Sequence, residues 1–147
     1  MSDCLFCKII AGEIPSTKVY EDQDVVAFLD ISPVNKGHTL VVPKSHAENF
    51  LVVSEDVSAK AFGAAQKVAK AVLAATGAHG FNLHVNNGHV SGQVVDHLHI
   101  HIIPRFEGDG LEHWPKMTYG SGEMWEVGEK IKKSINQRND MPRDATL

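Results

Sequence analysis

The chain has 147 residues, 43% of them hydrophobic, enough for one domain with a sizeable core. With 14 Lys and Arg against 18 Asp and Glu, its net charge is −4 with histidine neutral. That balance excludes a basic face for gripping DNA or RNA polymers, while leaving room for a local cradle around one phosphate. No run of about 18 apolar residues occurs, so neither a transmembrane helix nor a membrane role is expected. Met1-Ser2-Asp3-Cys4 lacks the basic-then-apolar pattern of a secretory signal, which points to the cytoplasm.

Cys4 and Cys7 stand in C-x-x-C spacing at the start of a short helix over 4–11, with Leu5, Phe6, Ile9 and Ile10 on its apolar side and Gly12 as its stop. A reducing compartment disfavours a structural disulfide, leaving metal binding or redox chemistry open. Ile14-Pro15 breaks the helical pattern. Lys18 to Glu21 and Val25 to Leu29 read as two strands joined at Glu21-Asp22-Gln23-Asp24. Asn35-Lys36-Gly37 is a turn, and His38 to Pro43 a third strand. Ser54 caps a long helix with Glu55 and Asp56 in its first turn, an apolar stripe through Val57, Ala61, Ala65, Val68 and Val72, and Gly77 as its close. Phe81 to Val85 is a fourth strand, and Asn86-Asn87-Gly88 a turn. A last amphipathic helix is expected over Glu123 to Gln137, through Met124, Val127, Ile131 and Ile135.

His97-Leu98-His99-Ile100-His101-Ile102-Ile103-Pro104 lies between these elements. Side chains of an extended chain alternate between faces, so the three imidazoles share one face and the aliphatic residues the other. A helix would scatter the rings, so the pattern predicts a fifth strand over 97–103, with Pro104 ending its ladder or marking an edge. The order β-β-β, long helix, β-β predicts an α+β domain: an antiparallel sheet of about five strands, one long helix on one face and short terminal helices. One domain spans 1–147, with a core over about 4–105, a helical extension over about 106–138 and a polar tail over 139–147.

Three readings fit the histidine row. The rings are structural; or they hold a metal, since H-x-H on a strand can give two imidazoles to one ion; or one of them is a nucleophile at phosphorus, forming a covalent intermediate while neighbouring donors hold the phosphate. Gly92-Gln93 and Asn86, just upstream, can supply amide donors, and Gly92 permits close backbone approach.

His97-Leu98-His99-Ile100-His101-Ile102-Ile103 resembles the alternating signature of the histidine triad family. Phe6-Cys7-Lys8-Ile9-Ile10, Ile14-Pro15, Phe28 to Pro33, Gly37 to Lys44 and Gly92-Gln93 resemble family segments in the same order, over roughly residues 4 to 105. The resemblance implies a homodimeric nucleotide hydrolase or nucleotidyl transferase. Its substrate would be a purine nucleotide or nucleotide conjugate cleaved at the α-phosphate: a phosphoramidate, an adenylylated compound or a dinucleoside polyphosphate. It assigns His99 as nucleophile, His101 as phosphate-binding histidine, His38 as the histidine facing the triad, and Gln93 and Asn86 as polar groups beside the phosphate and leaving group. Asp30 matches the carboxylate on the ribose hydroxyls. Phe6, Ile9, Phe28 and Ile31 match the apolar slot for the base, although each could also serve as core. Val94 stands at the substrate where several members carry a hydroxyl residue.

A subset of bacterial members carries a structural zinc site, which the resemblance transfers to Cys4, Cys7, His46 and His97; no catalytic metal is expected. Two other classes stay open on sequence: a nucleotide-binding interaction protein with incidental turnover, and a metal-dependent hydrolase using the whole triad as ligands.

Overall fold

A computed structural model describes residues 3–139. They fall into two compact units, one ending at Gly110 and one beginning at Leu111. The first contains α1 (Leu5–Ile10), β1 (Lys18–Glu21), β2 (Val25–Leu29), β3 (Thr39–Pro43), α2 (Glu55–Thr76), β4 (Gly80–His84) and β5 (Ile100–Arg105). The strands form one antiparallel sheet in the order β1-β2-β3-β5-β4, the α+β architecture expected. The second unit contains α3 (Glu123–Asn139), with the expected residues at helical spacing. Residues 140–147 of the expected polar tail lie outside the described residues. No described helix is long and apolar enough to cross a membrane.

Local chemistry accounts for the element boundaries. The Ser54 side chain accepts from Val57 N–H, and Gly77, left-handed at φ +67°, closes α2 with its N–H on the Leu73 carbonyl. Asp22 Oδ1 accepts from Asp24 and Val25 N–H and so shapes the β1–β2 turn.

Two apolar layers flank the sheet. On one face, Ala61, Ala64, Ala65, Val68, Ala69 and Val72 of α2 lie on Val25, Ala27, Val41, Ile100 and Ile102. Small helix residues let the backbone come close. On the other face, Phe6 and Ile9 of α1 join Val26, Phe28, Leu40 and Val42. Both faces of β2 and β3 are therefore covered, which is why these strands read as unbroken apolar runs.

The histidine row keeps its alternation but not its ladder. β5 begins at Ile100 rather than at residue 97. Lys44 N–H bonds back to Asp24 on the β2 side, so Pro43 turns its nitrogen toward the β5 side, where it has no hydrogen to give. Pairing between β3 and β5 accordingly stops at Val41 opposite Ile100. His97 N–H turns back to Val95 and Leu98 N–H bonds Ala47. Leu98, Ile100 and Ile102 are nonetheless fully buried. At the far end, Pro104 does not end the strand: it pairs with Phe81 of β4 inside the sheet. Its carbonyl accepts the Asn35 side-chain amide, so its nitrogen points to the same side, beyond the last β3 pair, where no donor is required.

Gly37 turns the chain into β3 at φ +95°, and a Cβ there would sit 2.7 Å from Thr76 Cγ2 at the end of α2. Gly37→Ala combines a disfavoured backbone conformation with a steric clash. It should lower the unfolding free energy by about 2 kcal/mol or more in urea titration; a loss within experimental error would show that the turn relaxes freely.

Candidate active site

A cavity of about 470 Å³ opens on the sheet face away from α2, within the roughly 300–1,000 Å³ of small-molecule sites. Leu5, Phe6 and Ile9 of α1, with Ile14 and Pro15, form one wall; Phe28 and Leu40 rise from the sheet. Asp30, Ile31 and Ser32 after β2, and Gly92, Val94 and Val95 before β5, complete the lining together with His99 and His101. Phe6 stands edge-on to Phe28 at 5.6 Å and to the His99 ring at 5.1 Å. Ile31 and Val94 are almost fully exposed, so they form rim rather than core. A second cleft, about 240 Å³ on the α2 side, is lined largely by aliphatic groups and contains no histidine.

A chain of hydrogen bonds sets the imidazole tautomers. Val34 N–H donates to His38 Nδ1 at 3.2 Å, which puts the His38 proton on Nε2. That Nε2–H faces His101 Nδ1 at 2.9 Å, so His101 accepts there and carries its own proton on Nε2. His101 Nε2 is buried and has no hydrogen-bond partner. His99 Nδ1–H donates to the His97 carbonyl at 2.6 Å, leaving the lone pair on Nε2. The His99 and His101 ring centres are 4.8 Å apart.

Burial keeps these rings neutral. It pushes His101 from the ordinary 6.5 down to about 4, helped by His99, His38 and His84 and only partly opposed by Asp30. Burial also lowers His99, against the His97 carbonyl bond and Asp30, and lowers His38, against Asp30. Asp30 Oδ2 lies 3.7 Å from His38 Nδ1, and its Oδ1 accepts from Ser32 N–H.

The first triad histidine faces elsewhere. His97 Nδ1 lies 3.4 Å from Cys4 Sγ, 3.6 Å from Cys7 Sγ and 3.2 Å from His46 Nδ1, and Cys7 Sγ lies 3.4 Å from His46 Nδ1. All four donor atoms fall within 4.8 Å of one another. A tetrahedral ion with bonds of about 2.0–2.3 Å has edges of about 3.3–3.8 Å, so these separations fit one zinc ion. His97 Nε2–H is held by the Pro43 carbonyl at 2.8 Å, which leaves Nδ1 as the metal-facing nitrogen. A second group of potential ligands, Asp30, His38 and His101, adjoins the cavity. Among the described residues no such group contains all three triad histidines.

The cavity thus gathers Phe6, Ile9, Phe28, Asp30, Ile31, Val94, His99 and His101, with His38 directly behind His101. It does not gather two of the expected residues. Gln93 is buried, and both its amide hydrogens are used: Nε2 donates to the Glu48 and Val95 carbonyls, while Oε1 accepts from Gly88 N–H. It pins the loop that carries Gly92, Val94 and Val95 and does not line the cavity. Asn86 directs its amide to the Gly92 carbonyl at 3.4 Å and likewise braces the loop. The turn at Asn86-Asn87-Gly88 also continues into an unexpected 3₁₀ turn, His89–Ser91. Leu40 and Ser16 line the cavity without having been singled out in the sequence. Leu40 lies two residues from His38 on a strand, so strand period would have found it; nothing local marks Ser16.

The HIT domain family model matches residues 11–108. A relative named adenosine 5′-monophosphoramidase, from Schizosaccharomyces pombe, is 41% identical over 134 residues, covering 90% of this chain and 98% of its own length. A crystallised Streptococcus mutans protein superposes with a TM-score of 0.87 at 46% identity, covering 92% of this chain and 87% of that one. A zinc-bound histidine triad family protein from Mycobacterium smegmatis gives 0.72 at 30% identity, covering 90% and 97%.

The buried rings also make stability pH-dependent. An unfolded histidine titrates near 6.5, whereas folded His101 stays neutral to about 4. Between these values the unfolded chain binds more protons, so the unfolding free energy falls as pH drops through the window. Urea midpoints should decline from pH 6.5 to pH 4, and the decline should be shallower in His101→Gln. An identical slope in that variant would remove His101 as a source.

Proposed function

The chain belongs to the HIT family, and we propose that it is a nucleotide hydrolase or nucleotidyl transferase acting at the α-phosphate through a nucleotidyl-His99 intermediate. One juxtaposition carries the proposal: the Nε2 lone pair of neutral His99 stands beside the unpartnered Nε2–H of His101 at the polar end of an apolar cavity. The first is a nucleophile and the second a donor, fixed in these forms by bonds on the far side of each ring.

In the first step His99 Nε2 attacks the α-phosphorus. The N–P bond forms, the bond to the leaving group breaks, and the leaving group departs with the bonding pair and takes up a proton. His101 donates to a phosphate oxygen while charge builds there. Water then attacks the same phosphorus and loses a proton; the N–P bond breaks, the nucleoside monophosphate leaves and His99 is regenerated. Phe6, Ile9, Phe28 and Ile31 would sandwich the base, and Asp30 would accept from the ribose hydroxyls. Val94 offers a backbone N–H at the rim but no side-chain donor for the leaving group. The name of the Schizosaccharomyces pombe relative supports a phosphoramidate among the substrates, beside adenylylated compounds and dinucleoside polyphosphates. Gln93, Asn86 and His38 act by position, the first two through the loop and the third through the His101 tautomer.

The same reading includes a structural zinc on Cys4, Cys7, His46 and His97, supported by the donor spacing and by the zinc-bound Mycobacterium smegmatis relative. Such an ion would supply a cross-link between the N-terminal helix and the start of the catalytic segment. His97 is then no general acid, and no catalytic metal is needed, since the triad rings do not converge on one point. A homodimer is also part of the proposal: β4 is an edge strand with Phe81 and Leu83 partly exposed, which can continue the sheet into a second copy.

Two measurements test this. Base quenching after mixing with an α-labelled adenylylated substrate should trap label on the wild-type protein. His99→Ala should trap none and lose at least about a thousandfold in kcat; full activity in that variant ends the covalent mechanism. Metal analysis of protein purified without chelator should find about one zinc per chain, and Cys4→Ser should lower Tm far more than it changes label trapping. Metal-free protein with wild-type stability would end the zinc assignment.

A further inference from the structure

Among the described residues, two buried side-chain polar atoms lack a hydrogen-bond partner, His101 Nε2 and Ser16 Oγ. Both residues line the same cavity. Burying a hydroxyl without a partner destabilises the fold, a cost that a bound ligand removes when it supplies the partner. The first orphan belongs to the phosphate end of the proposed mechanism; the second has no role there.

Its position says which part of a ligand it meets. β1 pairs with β2 through Lys18 opposite Phe28, and Leu29 N–H bonds the Thr17 carbonyl. Continued by two residues, that register sets Ser16 across from Asp30. Directly opposed residues in an antiparallel pair share a face, and both residues do line the cavity. The Asp30 carboxylate is oriented by Ser32 N–H on Oδ1. An ionised carboxylate only accepts, whereas a serine hydroxyl both donates and accepts. Together they match a vicinal diol, whose two hydroxyls each donate a hydrogen bond to an acceptor and one of which can also accept one.

We propose that the Ser16 hydroxyl, set opposite Asp30 in the cavity wall, binds the ribose of the nucleotide and selects ribonucleotides over their deoxy counterparts. The inference rests on the nucleotide reading above and deepens it from a carboxylate contact to a two-residue sugar site.

The test is calorimetric titration of wild type and Ser16→Ala with adenosine 5′-monophosphate and its 2′-deoxy and 3′-deoxy analogues, all stable to the proposed reaction. Ser16→Ala should weaken binding of the ribonucleotide about five- to tenfold. For one of the two analogues, the one lacking the hydroxyl that Ser16 meets, it should change nothing. Tm of the variant should be unchanged or higher, because an unpaired buried hydroxyl has been removed; a drop would mark a structural role and overturn the proposal. Equal weakening for all three ligands would place the contact on base or phosphate and overturn it as well, as would no weakening at all. Wild type binding none of the three would instead refute the nucleotide reading on which the inference stands.

Discussion

His97 is fixed from one side by a single bond, its Nε2–H on the Pro43 carbonyl, and two separate pieces of chemistry hang on that bond. The ring is turned so that Nδ1 meets Cys4, Cys7 and His46. The backbone of the same residue presents its carbonyl to His99 Nδ1–H. The ring that orders the donor cluster and the carbonyl that exposes the His99 Nε2 lone pair therefore belong to one residue. Pro43 is suited to this place because it has no N–H to continue the ladder, which frees the segment before Ile100 to bend while its carbonyl stays in position.

The second ordering element runs from the opposite direction. Val34 N–H, His38 and His101 form a relay in which each proton position dictates the next, ending on a buried donor. Low polarity around the rings serves the same end as the bonds. A protonated imidazole has no lone pair to attack with, and burial keeps His99 and His101 from protonating. Asp30, whose carboxylate is tied to Ser32 N–H and lies 3.7 Å from His38, works against that tendency but only partly offsets the desolvation. In the proposed mechanism this balance separates a nucleophile from a donor without giving either ring a charge.

Period and turn chemistry made the elements legible in the sequence: Ser54 and Gly77 bound α2, and the apolar half of the histidine row fixed which face carries the rings. The donor set Cys4, Cys7, His46 and His97 came through resemblance, since nothing in residue spacing alone joins His46 to two cysteines some forty residues upstream. What sequence could not give was where amides and hydroxyls spend their bonds. Gln93 has the right chemistry for a phosphate, but the Glu48 and Val95 carbonyls take both its amide hydrogens, and the Glu48 contact depends on how a loop 45 residues away closes. Ser16 is the converse case, an ordinary residue after a proline that matters only because the β1–β2 register brings it across from Asp30 and leaves its oxygen unpaired. The loss of ladder pairing before Ile100 was readable in principle, from Pro43 in the neighbouring strand.

α1 joins the two halves of the site, and its size makes the connection consequential. Six residues are far below the length at which a helix holds itself together, about 12–15, so its stability comes from what its two sides touch. Leu5, Phe6 and Ile9 form cavity wall, while Cys4 and Cys7 meet His97 and His46. Phe6 reaches both, edge-on to His97 at 6.0 Å and to His99 at 5.1 Å. An occupant of the cavity and an ion on the thiols would seat the same short helix. Each then lowers the ordering cost that the other must meet, and linkage makes the effect reciprocal. An ion on Cys4, Cys7, His46 and His97 would thereby be no bystander in the proposed reaction: it would preorganise the apolar wall against which the base would rest.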